Sequence, residues 1–541
     1  MKIRWLLLFL VLCLGIGPGK QETTQRDLEI LAEILTTARA YSAHTPESKD
    51  LVEGAIEGFL SHLDPHTAYY NPDRFATMRE DQKSSFYGIG IHLGTLNNQM
   101  MVVAPIPDTP AARAGIRAGD LILAIDGHET QNLDVDEAIR YLRGHKGVPV
   151  RIRIGRTGMD EPLELDVERA EIPSENVRLQ FMLNEQTGYV SLRDFGEDST
   201  EELTEALLNL EAQGMQSLIL DLRGNPGGLL PQAIGVAGLF LPGGKRVVST
   251  KGRISSANQE FTSAETSPIR QVPLVLLIDR GSASASEIVA GAIQDYDRGL
   301  VLGITSWGKG LVQSVFPIGN GGQGLALTTA RYYTPSGRNI QGSYDSWDEY
   351  YTPKDSKDVY FDPQSANLKP NQYFSTLHGR QVLQIRGILP DVYIEFEQVP
   401  DVLGVLDWER NYFYEFAVAQ QDTYPSDESL WPEDDTLLKA FSLFLQEQKV
   451  DLDFRTLLDH KDFVMWRIKY QLLFVHDSQK AFKFQIRNDL HVRAGLELVP
   501  KAHDLFSVYM DQAALPPGYG ESLKQYARLH EQPAAVPVGG G

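Results

Sequence analysis

A serine and a lysine near the middle of the chain have the types and surroundings needed for acyl transfer. Ser284 stands within Ser282-Ala283-Ser284-Ala285-Ser286-Glu287, and Lys309 lies between Gly308 and Gly310 with Gln313 four residues on. A serine hydroxyl becomes a nucleophile when a neighbouring base takes its proton, and a lysine amine can be that base. The amine must be neutral to do so. A free lysine titrates near ~10.4, so the pair requires an amine substantially desolvated by its surroundings. Gln313 falls on the same side of the chain as Lys309 in either a strand or a helix, because residues i and i+4 share a face in both. Its amide oxygen is therefore placed to orient the amine.

The elements that must position these groups are readable around them. Leu274 to Ile278 is wholly apolar, the pattern of a strand covered on both faces. Gly281 breaks it, and Ile288, Val289, Ala292 and Ile293 then keep helical spacing. At the junction, Ser284 and Glu287 fit a capping box, which sets the serine at the positive end of a helix among backbone N–H groups without helical partners. A second strand-like run, Ser217 to Asp221, leads into Leu222-Arg223-Gly224-Asn225-Pro226-Gly227-Gly228. Glycines in such a loop can present N–H groups to a developing oxyanion. Thr187 to Leu192 and Glu201 to Ala212 add a further strand and helix, and this alternation argues for an α/β core.

Taken singly, Ser284 reads as an N-cap, Lys309 as a surface lysine and the glycine loop as a turn. Together, SASASEI and the GKG followed by Gln313 resemble the C-terminal processing peptidases, also called tail-specific proteases. The resemblance implies that Ser284 is the nucleophile, Lys309 the general base and Gln313 the support of the lysine. It also implies an oxyanion hole made by Gly227 or Gly228 with the Ala285 amide, and a crotonase-like or ClpP-like layered α/β protease core. Ala326 to Gly342 and Gly387 to Asp391 match signatures of the same family. From Phe86 to about Ile172 the chain resembles a PDZ domain, a module that adds a peptide as an extra strand and holds its terminal carboxylate on loop N–H groups. Gly88, Ile89 and Gly90 are the expected peptide-binding loop, since a backbone without side chains can approach an anion. LVEGAIEGFLSHLDPHTAYY is similar to the segment that precedes the PDZ domain in these peptidases.

The rest of the chain bounds this reading. At 541 residues, several domains are expected. The formal charge of −22 disfavours nucleic acid as a partner. Lys2 and Arg4 precede an apolar run from Trp5 to Leu14, which reads as a secretory signal over residues 1–19 and implies an exported, periplasmic protein, membrane-anchored if the signal is retained. Cys13, the only cysteine, lies in that segment, so a mature chain would hold no disulfide or thiol nucleophile. The expected division is a helical region over 20–85, the PDZ domain over 86–172, the protease core over 173–395, a helical region over 396–531 and a disordered tail over 532–541. Ser343 to Arg386 reads as a surface insertion. In the C-terminal region Leu437, Leu438, Phe441, Phe444 and Leu445 share one helical face, and Val464, Ile468 and Leu472 another; these faces can pack on the protease, form a homo-oligomer or take an adaptor.

No cofactor is expected, and no metal. His62 and His66 are four apart, but Pro65 breaks the helix that would align them. Gly303 to Lys309 begins like a phosphate loop, yet Gly310 stands where Ser or Thr is required, and no HExxH occurs. The partners expected are protein substrates with accessible C-termini. Two other classes remain: a non-catalytic PDZ scaffold, and a crotonase-fold enzyme acting on acyl thioesters.

Overall fold

The computed structural model describes residues 18–511 except 45–46, 82, 84, 97–98, 157–158, 160, 266–270, 321, 343–368 and 396–398. The predicted export signal, apart from its last two residues, and the predicted tail lie outside the described residues. So does the first part of the expected insertion. The chain forms two compact units, one joining residues 1–75 with 313–328 and the other joining 76–312 with 329–541.

The smaller unit is less uniformly helical than its sequence suggests. Helices Pro18–Tyr41 and Ser48–Leu60 are followed by a short strand, Ala68–Tyr70, paired antiparallel so that Ala68 faces Ala326 and Tyr70 faces Gly324. The turn between them is held by Asp64, whose carboxylate accepts from the His66 and Thr67 amides and the Thr67 and Thr328 hydroxyls. Burial opposes the charge, but these four bonds outweigh it and hold the Asp64 carboxyl below the usual range. The strand arises because local hydrogen bonds to Asp64 end the helical run at Pro65 and an edge is available for pairing.

In the larger unit the protease core is a six-stranded sheet. Its strands, in spatial order, are Val177–Met182, Thr187–Leu192, Ser217–Asp221, Leu274–Ile278, Leu300–Gly303 and Val392–Tyr393; the first pair is antiparallel and the remaining pairs parallel. Alternate side chains of the central strands enter two cores. Leu218, Leu220, Leu274, Leu276 and Ile278 pack with helices Ser199–Ala212, Leu230–Gly238 and Ala285–Asp295, while Ile219, Val275, Leu277, Leu300 and Leu302 pack under helix Leu490–Asp511. Both faces are covered, which is why Leu274–Ile278 carries no polar alternation. Each fully buried Leu or Ile here contributes about 1.5–3 kcal/mol.

The PDZ-like module is a sheet of strands Ile91–Leu96, Gln99–Pro105, Leu121–Ile125, Pro149–Gly155 and Leu163–Glu168, with helix Val135–Leu142 and the ribbon Ser85–Gly88/Ala170–Pro173 at its root. Asp134 and Glu137 form a complete capping box on that helix.

The C-terminal region divides in two. Leu437, Leu438, Phe441, Leu445, Val464, Ile468 and Leu472 form one buried core, as their spacing predicts, and it includes Met101 and Ala118 of the PDZ-like module. The Tyr414 hydroxyl donates to Val103 O at 2.9 Å, fastening this bundle to a PDZ strand. The last helix packs instead on the protease sheet. The described part of the predicted surface insertion is also more than surface. Arg380 reaches into the core and pairs with Asp297 at 2.5 Å and Asp391 at 2.6 Å. A buried guanidinium needs such partners to offset desolvation, and they pull this segment inward.

Candidate active site

The sheet's parallel strands end on one side in two loops that interlock. After Leu274–Ile278, Asp279 Oδ1 accepts from the Gly281 amide at 2.8 Å and the Ser282 amide at 3.1 Å, and also from the Gly224 amide of the neighbouring loop at 2.8 Å. The Ser282 hydroxyl donates to Leu222 O and the Ser286 hydroxyl to Asn225 O. These two serines are fully buried with their oxygens committed. Ser284, between them, is partly exposed. Of the three serines, only the middle one is presented for chemistry.

Ser284 has φ +54° and ψ −108°. This is not the extended conformation of an ordinary N-cap, so the capping box forms differently from its sequence pattern: Glu287 reaches back to the Ser284 amide at 2.9 Å, but the serine itself is turned into a strained backbone region. Such a conformation costs about 1–3 kcal/mol and persists only where its surroundings over-determine it. The surroundings here are the interlocked loops and Glu287. The Ser284 side chain is hydrogen-bonded to the Tyr332 phenol, which burial pushes up to about 12 and so keeps protonated.

Glu287 is the centre of the arrangement. It is fully buried and takes four donors: Ser306 Oγ at 2.6 Å and Gly308 N at 2.7 Å on Oε1, Ser284 N and Lys309 N at 2.9 Å each on Oε2. One carboxylate oxygen thus receives the amides of both predicted reacting residues. Burial raises the Glu287 carboxyl's pKa, while the hydrogen bonds from Ser306, Gly308, Lys309 and Ser284 oppose that rise.

Lys309 is half-buried and sits in an irregular loop before strand Leu311–Ile318. Its flanking glycines permit the loop's path. Gly308 has φ +90°, and a Cβ there would lie 2.5 Å from Arg386 Cγ; a Cβ on Gly310 would lie 2.8 Å from Gln341 N. Gln313 belongs to the smaller unit, where its Nε2 donates to His66 O.

The two glycines proposed for an oxyanion hole differ. Gly227 lies flat against Ser284, since a Cβ there would stand 2.9 Å from both Ser284 Cβ and Ala285 N. Its own N–H is committed to Asn225 Oδ1 at 2.9 Å. Gly228 bridges Phe195, but through bonds made by Phe195 and Leu229, leaving its own N–H out of the ladder. Ala285 opens the helix, where the first N–H groups have no helical acceptor.

The loop is also held from behind. Arg223 donates to Asp221 and, through Nη1, to both oxygens of Asp489 at 3.0 Å. Asp489 in turn accepts from the Val492 amide at 3.0 Å, at the start of the last helix. Asp489→Asn keeps an N-capping side chain but removes the charge facing Arg223. The expected result is a fall of about 3- to 10-fold in kcat with KM within twofold; unchanged kcat in steady-state kinetics would show that the loop does not depend on this ion pair.

In the PDZ-like module, the edge strand Ile91–Leu96 and helix Val135–Leu142 border a groove of about 250 Å³ lined by Phe86, Ile89, Ile91, Ile139, Leu142 and Arg143, with Gly88 and Gly90 at its end. Ile89 O accepts from the Ala111 amide, and Gly90 O from the Ile106 amide and Thr109 hydroxyl. Gly90 has φ +81°, and a Cβ there would collide with Thr109 Cβ at 2.4 Å. The predicted loop residues therefore come together at one groove. Among the described residues, no group of three or more His, Cys, Asp or Glu side chains is arranged to hold a metal.

Sequence reasoning missed Glu287 as a hub, Asn225 as the acceptor of the Gly227 amide, and Tyr332. Glu287 left a signal: it is the one acid in the otherwise apolar first turns of helix Ala285–Asp295, where a charge has to be matched by several donors. Tyr332 left none, because its contact with Ser284 joins distant parts of the chain.

Comparison with known proteins agrees with this geometry. Residues 186–345 match the Peptidase family S41 model and residues 101–156 a PDZ domain model. The chain is 39% identical over 337 residues to a carboxy-terminal-processing protease of Bartonella bacilliformis, covering 62% of this chain and 77% of that one. It is 38% identical over 292 residues to a carboxyl-terminal-processing protease of Synechocystis sp., covering 53% and 67%. A solved photosystem II D1 C-terminal processing protease aligns at 29% identity over 57% of this chain and 83% of that one, with a TM-score of 0.34. With its accessible serine and lysine gathered on one buried carboxylate and a PDZ module beside the core, the chain belongs to the carboxy-terminal-processing proteases, serine peptidases of family S41.

Proposed function

We propose that the protein is an exported endopeptidase that uses Ser284 and Lys309 as a nucleophile–base dyad and recruits protein substrates through their C-terminal tails. The observation that carries the reading is the sharing of Glu287 Oε2 by the Ser284 and Lys309 amides. In the reaction, neutral Lys309 takes the Ser284 hydroxyl proton as Oγ attacks the scissile carbonyl. The amide N–H groups of Gly228 and Ala285 receive the oxyanion; Gly227, with its N–H already donated, shapes the floor beneath it. The lysine then protonates the leaving amine, and water releases the acyl group by the same steps in reverse order. Gln313 supports the lysine. The layered core is of the crotonase-like or ClpP-like kind, and the N-terminal apolar run directs export.

The PDZ groove delivers the substrate. Its edge strand adds the tail as a further strand, and Ile89, Ile91, Ile139 and Leu142 favour an apolar last residue. The test is an unfolded reporter ending in an apolar residue, compared with the same reporter ending in a charged one. Ile139→Glu is expected to raise KM for the apolar tail by about 10-fold, leaving kcat and the cleavage of a short untailed peptide within twofold. Equal cleavage of both tails by the unaltered protein would refute tail recruitment.

A further inference from the structure

A second polar site borders the lysine loop. Arg331, Tyr333, Asn339, Gln341, Gln384 and Arg386 line a cavity of about 500 Å³, which Gly342, Gln372 and Ile385 complete. The amide groups in it are oriented by the backbone, because a backbone N–H can meet only an amide oxygen. Asn339 Oδ1 accepts from Gln341 N at 2.8 Å and Gln384 Oε1 from Asn339 N at 2.9 Å. Gln341 Oε1 accepts from Gly310 N at 2.8 Å, and its Nε2 donates to Gly342 O. With their oxygens turned to the backbone, Asn339 and Gln384 present NH₂ groups to the cavity.

The charges have one sign. Arg331 and Arg386 contribute guanidinium groups, and Lys251, paired across the strands from Arg331, lies with its ammonium 4.7 Å from the centre of the Tyr333 ring. Among the described residues, no Asp or Glu lines the cavity. A cavity furnished with cations, and with its side-chain amide oxygens turned to the backbone, suits an anionic acceptor group.

Its walls are those of the reacting loops. The bonds from Gln341 to Gly310 and from the Gly342 amide to Gly308 O hold both glycines that flank Lys309. Arg331 and Tyr333 flank Tyr332, whose amide donates to Gly310 O at 2.7 Å; strand alternation turns their side chains to the face opposite the Tyr332 phenol. A substrate strand, advancing about 3.3 Å per residue, brings side chains a few positions from the scissile bond over such a cavity.

We infer that this cavity is a specificity subsite for a carboxylate of the substrate, carried either by an Asp or Glu side chain or by the chain end, and distinct from the apolar PDZ groove. The inference rests on the proposed Ser284–Lys309 site. Carboxylates are met by Arg331, with the Asn339 and Gln384 amino groups completing the donor set. In this way the PDZ groove selects the tail and the cavity selects where along the chain the bond is cut.

The experiment uses the full chain, unaltered and as Arg331→Gln, with peptides in which Glu, Gln or Leu is moved through five positions on each side of the cleaved bond. Each is made with a free and an amidated C-terminus. At one position Glu is expected to exceed Gln in kcat/KM by about 10-fold, with most of that preference lost in Arg331→Gln and the Leu peptide cut equally by both proteins. A preference for Glu over Gln in both series assigns the carboxylate to the side chain; a preference of about 10-fold for the free over the amidated end, with Glu and Gln equal and the preference lost in Arg331→Gln, assigns it to the chain end. Glu and Gln within twofold at every position together with free and amidated ends within twofold, or a preference unchanged in Arg331→Gln, overturns the inference. Fluorescence anisotropy with Ser284→Ala proteins, with and without Arg331→Gln, reads the same Glu-over-Gln preference as binding. That arm decides the inference even if turnover survives in Ser284→Ala, a result that would sink the proposed active site separately.

Discussion

Ser284→Ala is expected to lower kcat by about 10⁴-fold or more, leaving tail binding by the PDZ groove unchanged, because a dyad's chemistry is lost with either member. Lys309→Ala is expected to lose a similar factor, and the double variant no more than either single one, since residues that act as a unit do not contribute additively. Ser282→Ala and Ser286→Ala provide the contrast. Their hydroxyls are buried and donate to Leu222 O and Asn225 O, so their loss is expected in thermal stability first. Single-turnover cleavage of an unfolded reporter, with anisotropy on its tail, separates the outcomes. Turnover by Ser284→Ala within 10-fold of the unaltered protein would place the nucleophile elsewhere.

Glu287→Gln is the second large effect. The carboxylate serves four donors with two oxygens, two on each. A glutamine keeps one oxygen and turns an NH₂ group against two of those donors. Orphaned buried donors cost about 1–3 kcal/mol each, so a loss of about 2–5 kcal/mol in stability is expected. The catalytic cost comes from a different quarter. Ser284 at φ +54° is held by its amide's bond to Glu287 Oε2, and Lys309 by the bond beside it, so one orientation of the new amide releases both of these amides and the other releases the Gly308 amide and the Ser306 hydroxyl. We expect kcat to fall by about 10²-fold with KM within threefold. Glu287→Asp keeps the charge but shortens the reach, and a loss between the two is expected. A folded Glu287→Gln protein with kcat within threefold of the unaltered one would reduce Glu287 to a core residue without a positioning role.

These two residues also mark how far a linear reading carries. The strand, break and helix around Ser284 are legible from its neighbours, but its expected role comes from the resemblance of SASASEI and the glycine-flanked Lys309 with Gln313 to a known family. Glu287 was legible only as a helix cap, since the pattern Ser-x-x-Glu describes contacts within four residues. Its bonds to Ser306, Gly308 and Lys309 span a full strand and loop. Likewise, Gly227 and Gly228 were equivalent in sequence. Asn225 distinguishes them by taking the Gly227 amide, through a side-chain conformation that the packed loop selects. The helical faces of Leu437 to Leu445 and of Val464 to Leu472 read as amphipathic with three possible partners, and an amphipathic face states that it must be covered without stating by what.

The sequence by itself determined the strand–loop–helix that carries Ser284, the apolar continuity of a sheet buried on both sides, the PDZ-like module and its glycine loop. The first two follow from local periodicity, turn chemistry and short-range capping, which are properties of neighbouring residues; the PDZ-like module and its glycine loop are legible through resemblance to a known family. Only the tertiary structure decided that Glu287 gathers Ser284 and Lys309, that Tyr332 meets Ser284, that Asp489 backs the glycine loop, and that Arg380 draws the end of the insertion into the core. Each of those depends on satisfying a buried polar or charged group, and the partner that satisfies it is chosen by proximity in the fold rather than along the chain.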